Sequence, residues 1–188
     1  VTDKKEKLNI FDSTLISEEK PSCCKLIYNK FKDKIQFPKN LIKFIAYVDD
    51  YNSQELKYEE SKYLNAIYRK SGSKKFSKFV DRFWGGFDGF TDKETNLGEQ
   101  FYRELDKELE GLTLFQGEFK GFKVLSTFTK FSVNEISHAL LDIYPVDVIV
   151  VVNPDTKYVS FRKARDSKAD IKFMAENLCS GGGGEFST

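Results

Sequence analysis

Apolar residues recur at helical spacing through the first half of the chain. From Cys23 to Phe31 the residues Cys24, Ile27, Tyr28 and Phe31 share one face, and Pro21-Ser22 ahead of them offers Ser22 as an N-cap. After Pro38, Asn40 to Tyr51 repeats the pattern with Leu41, Ile42, Ile45 and Val48 and closes on the acidic pair Asp49-Asp50. A further helix is predicted over Glu55 to Arg69. Ser73 to Trp84 places Phe76, Phe79, Val80 and Phe83 on one side and stops at Gly85-Gly86. Ahead of all these, Leu8-Asn9-Ile10-Phe11 reads as a short strand running into Asp12-Ser13-Thr14. Polar residues at the C-terminal end of a strand are where open α/β sheets place their chemistry.

The periodicity then changes. Thr91 to about Leu109 is charged and strongly helix-forming, after the flexible Gly85, Gly86 and Gly89. Glu118-Phe119 and Phe122 to Phe128 flank Lys120-Gly121 as a hairpin, and Val133 to Ile143 returns to helical spacing. Asp147 to Asn153 is a buried-strand run, Asn153-Pro154-Asp155 a turn, Tyr158 to Arg162 a strand and Ala169 to Leu178 a helix. The expected fold class is α/β: a helix-rich part over residues 1–90, a helical linker over 91–110, and a small mixed α/β domain over 111–188.

Composition narrows the function classes. A hydrophobic fraction of 40% in 188 residues suffices for a core, and a formal net charge of +1 means that any anion site must be local rather than a basic face. No apolar run approaches the roughly 20 residues that span a bilayer, and the charged start Val1 to Lys7 has no apolar segment behind it, so a soluble, cytoplasmic protein is expected. Three cysteines, Cys23 and Cys24 adjacent, build neither a disulfide framework nor a zinc knuckle. The chain starts at Val1 and its sole methionine is Met174, which points to a fragment or a processed product.

The tail carries the clearest chemistry. Val159-Ser160-Phe161-Arg162 sets an Arg on a strand with Ser160 two residues before it on the same face, and Ser180-Gly181-Gly182-Gly183-Gly184-Glu185 follows one helix later. A guanidinium fork and bare backbone amides together hold an anionic group, and phosphate is the expected one. Four successive glycines are costly to order without such a reason.

This Ser-Phe-Arg strand end, helix and glycine run resemble the DHH-associated domain, the C-terminal substrate-binding half of the DHH phosphoesterases. The resemblance implies metal-dependent hydrolysis of a phosphodiester or phosphoanhydride, with Ser160, Arg162, Gly181, Gly182, Gly183, Gly184 and Glu185 at the substrate. It implies manganese as cofactor, with Asp12 similar to the first ligand of the family's Asp-His-His triplet and Asp50 similar to a later one. The expected partners are a short nucleic acid, a dinucleotide or polyphosphate, with no membrane, and the reading allows a homodimer.

The departures from the family run one way. Ser13 and Thr14 stand where the triplet has histidines, and Glu185 where the glycine run ends in His. Hydroxyls replace imidazole poorly at a transition-metal site, and a carboxylate disfavours phosphate. The expectation is therefore a degenerate or incomplete phosphoesterase that mainly binds a phosphate-containing ligand; a non-catalytic scaffold of the same two-domain shape is the alternative. His138, the one histidine, lies in a helical pattern and is given no role, and Lys74, Lys75 and Lys78 beside Phe76 and Phe79 read as the solvated side of a helix rather than a single-strand binder.

Overall fold

The computed structural model describes residues 21–71 and 76–178. The strand over Leu8 to Phe11, Asp12, Lys74, Lys75, Gly181 to Gly184 and Glu185 lie outside the described residues. Helices α1 (Cys23–Phe31), α2 (Lys39–Ser53), α3 (Glu59–Ser71), α4 (Phe76–Phe83) and α5 (Asp92–Gly111) precede strands β1 (Leu114–Phe119) and β2 (Phe122–Phe128). Helix α6 (Val133–Ile143), strands β3 (Val148–Asn153) and β4 (Tyr158–Lys163), and helix α7 (Ile171–Leu178) complete the order. The α/β class holds, with a helix-rich part followed by a small sheet domain. Two compact units divide between Tyr102 and Arg103, inside α5.

In the first unit Ser22 caps α1 by accepting from the Lys25 amide at 3.2 Å, while its own amide donates to Asp49 Oδ1 at 2.8 Å. The apolar face expected for α1 is not a core face: the helix buries no residue, and Ile27 and Phe31 are exposed. On α2 the expected Ile45 is buried, but Ile42 is exposed, and Tyr47 and Asp50 complete the buried positions. Tyr47, Leu64, Phe83 and Phe87 form the centre, with Phe44, Phe79 and Phe90 against them. Helix α3 starts at Glu59 rather than at Glu55 because Gln54 and Leu56 take positive φ, 56° and 49°, which no helix accommodates.

Gly86 is fixed by space and by backbone. Its φ is +94°, and a Cβ there would stand 2.2 Å from the Asn40 carbonyl carbon and from the Leu41 nitrogen. Beyond it, Thr91 and Glu94 form a capping box at the start of α5: the Glu94 amide donates to Thr91 Oγ1 at 3.3 Å and the Thr91 amide to Glu94 Oε2 at 2.8 Å. Arg82 clamps the same turn, giving Nε to Glu94 Oε1 at 2.8 Å and Nη1 to Asp88 Oδ1 at 2.7 Å.

The second unit is a four-stranded sheet in the order β1-β2-β3-β4. The β1-β2 and β3-β4 pairs are antiparallel and β2-β3 is parallel, so α6 is the crossover of a βαβ unit. Lys120 and Gly121, at φ 50° and 82°, make the two-residue hairpin turn, whose left-handed backbone suits glycine. Helix α7 covers one sheet face, where Ile171, Met174 and Ala175 pack with Val148 and Phe161. Strand alternation sends Leu125, Ile149 and Val151 to the opposite face, and all three are fully buried there, as are Ile136 and Leu140 of α6.

Candidate functional site

Register decides what faces α6. Ile149 pairs with Arg162 and Val151 with Ser160, so both β4 residues project from the sheet face opposite α7. Arg162 is half-buried and Ser160 is buried. Arg162 Nη2 donates to Asn134 Oδ1 at 3.0 Å, which ties α6 to this face of the sheet. The sequence reading that Ser160 and Arg162 share a face therefore holds in the geometry.

Two further polar groups of α6 are Glu135 and His138. Glu135, buried, accepts from the Ser132 hydroxyl one residue before the helix. His138 is half-buried, one turn along from Asn134. Burial first and the Arg162 charge second push the His138 pKa from 6.5 down to about 4, against a smaller opposing pull from Glu135. The imidazole is neutral at physiological pH. Sequence reasoning missed Asn134 and gave His138 no role, because nothing in one sequence says which face of α6 meets the sheet or at what height along β4.

Asp50 is in a different kind of place. Oδ1 accepts from the Lys57 amide at 3.0 Å and Oδ2 from the Tyr58 amide at 3.2 Å, in the turn that leads into α3. Burial raises its pKa, but the Ser61 hydroxyl, these two amides and the Lys57 charge outweigh that and hold the carboxyl below its ordinary value. The Ser61 hydroxyl lies close enough to favour the ionised form without reaching hydrogen-bonding geometry. Asp49 is engaged as well, by the Ser22 amide.

Both Asp50 oxygens are committed to backbone amides, and among the described residues no three His, Cys, Asp or Glu side chains come together as a metal group. No helix among the described residues is long and apolar enough to cross a membrane.

On the other sheet face, beside α7, lies an apolar cavity of about 500 Å³ whose lining includes Phe119, Val124, Val150, Val159, Phe161 and Met174. Phe115 and Phe128 are exposed, in edge-to-face contact at 6.2 Å. No protein-family model, curated protein or solved structure matches the chain.

Proposed function

We propose that the sheet unit binds a phosphate-containing ligand at Arg162, in the manner of the phosphoesterase family that the tail resembles. The ligand class is a short nucleic acid, a dinucleotide or polyphosphate. The observation that carries the reading is the hydrogen bond from Arg162 to Asn134 of α6, with Ser160 on the same sheet face. A guanidinium already tied at one nitrogen loses less freedom when it pairs with phosphate. The reading stops at binding, since Asp50 supports the turn before α3 and no step of hydrolysis follows from the described residues.

The test is a calorimetric titration of the chain and of Arg162→Ala with a short dinucleotide and with tripolyphosphate, circular dichroism showing that the variant keeps its fold. Binding by the chain that is lost in the variant supports the proposal. Equal binding by both, or none by the chain itself, overturns it. A second reading, a non-catalytic interaction protein, is favoured by the apolar cavity on the α7 face and by the exposed Phe115 and Phe128; it predicts no effect of Arg162→Ala on any interaction of the chain.

A further inference from the structure

Helix α1 turns an apolar stripe outward rather than into the core. Ile27 is 51% exposed and Phe31 37%. The Ile35 amide donates to the Phe31 carbonyl at 2.8 Å, a helical bond that carries the winding past the end of α1, and Ile35 is 52% exposed. The three side chains therefore stand at i, i+4 and i+8 along one side.

Positive charge borders this stripe. At about 3.6 residues per turn, Lys30 and Lys34 fall along one border, Lys25 and Lys32 along the other, and Asp33 on the far side. Lys30, Lys32 and Lys34 are exposed and Lys25 is half-buried. From Cys23 to Lys43 there are six lysines and one acidic residue, in a chain whose formal net charge is +1, so the positive charge is concentrated here.

We propose that α1 is a membrane-surface element that docks on a bilayer containing anionic lipid. Ile27, Phe31 and Ile35 enter the boundary with the acyl chains, and the lysines on both borders reach the headgroup phosphates. A lysine stem follows an apolar surface while its ammonium stays in water, and a basic amphipathic helix binds such interfaces by apolar burial and charge together. Single-stranded nucleic acid fits this face less well, since its bases stack on aromatic rings and two of the three exposed apolar side chains are isoleucines. Docking on a surface is distinct from spanning, and no helix among the described residues is long and apolar enough to cross a membrane. The inference does not depend on the Arg162 reading.

The experiment is flotation of the chain with vesicles of phosphatidylcholine alone and of phosphatidylcholine mixed with phosphatidylglycerol, at low and high salt. Two double variants are compared, Lys30→Gln with Lys34→Gln and Ile27→Ser with Phe31→Ser. All four positions are exposed, so both variants are expected to keep the fold, which circular dichroism checks; Ile27→Ala with Phe31→Ala replaces the serine pair if that pair does not fold. The chain is expected to float with the anionic vesicles and not with the neutral ones, and to be released by salt. Each double variant is expected to weaken binding by about tenfold or more.

Failure to bind anionic vesicles overturns the inference. Binding that the lysine pair loses and the apolar pair keeps also overturns it, because a charged surface alone would then be enough. Self-association of the chain that Ile27→Ser with Phe31→Ser abolishes, or oligonucleotide binding that the lysine pair abolishes, in either case without vesicle binding, would assign the face to a second copy or to nucleic acid instead.

Discussion

Arg162 on β4 and Asn134 in the first turn of α6 are joined by a 3.0 Å hydrogen bond between residues 28 positions apart in the chain. The bond ties the sheet edge to the helix that crosses from β2 to β3.

Asn134→Leu removes that acceptor without removing the cation. The expected outcome is a loss of phosphate-ligand affinity of about tenfold, smaller than the loss in Arg162→Ala, with stability lowered by about 1 kcal/mol. Calorimetry and urea unfolding check the two parts. Unchanged affinity in a folded Asn134→Leu would show that the guanidinium needs no such support.

The elements were legible in the sequence wherever local chemistry sets them. The Ser22 cap fixed α1 to the residue, and Lys120-Gly121 fixed the hairpin. Alternation along Tyr158 to Arg162 was enough to put Ser160 and Arg162 together. What stayed hidden depends on contacts distant in the chain. The α1 stripe looks like a core face yet leaves Ile27 and Phe31 exposed, the α3 start is delayed by left-handed residues that no propensity marks, and the α6 residue that meets Arg162 is chosen by the crossover. Asp50 resembles a metal-ligand position in sequence order, and its two oxygens accept from the Lys57 and Tyr58 amides in the turn before α3, a contact that sequence order does not announce.

Asp50→Ala is therefore expected to act on stability. Two amides, those of Lys57 and Tyr58, lose their acceptor inside a partly buried turn, at a cost of about 2–3 kcal/mol, and Asp50→Asn, which keeps one acceptor, is expected to lose about half of that. Denaturant midpoints measure both. Manganese is expected to leave the melting temperature of the chain unchanged; a rise with manganese that vanishes in Asp50→Ala would restore this residue as a ligand.

Gly86 and Gly85 make a matched pair. A methyl at Gly86 meets backbone of Asn40 and Leu41 at 2.2 Å and stands on a residue at φ +94°, whereas one at Gly85 meets nothing within 4 Å. Gly86→Ala is expected to cost about 3 kcal/mol or more, and Gly85→Ala less than about 0.5 kcal/mol. Thermal unfolding of the two variants side by side checks the contrast, and equal melting temperatures would mean that the Gly86 turn yields.

His138 gives the fold an acid sensitivity of a defined sign. Above the ordinary imidazole value of 6.5 both the folded and the unfolded chain hold the ring neutral, and it adds nothing to the pH dependence. As pH falls below 6.5 the unfolded chain binds a proton that the folded chain refuses until about pH 4, because burial and the Arg162 charge oppose it. The unfolded state then binds more protons, so stability drops through that window, by about 3 kcal/mol when it is fully crossed. Asp50 and Glu94, whose carboxyls are held below their ordinary values, lose their contributions only lower down, as pH falls through the carboxylate range. The interval from pH 6.5 to about 5 is thus diagnostic of His138. Urea unfolding across it is expected to show falling stability in the chain and a flat profile in His138→Gln; the same slope in both would mean that His138 takes up its proton as easily folded as unfolded, and that the Arg162 face is wet enough to hold two cations.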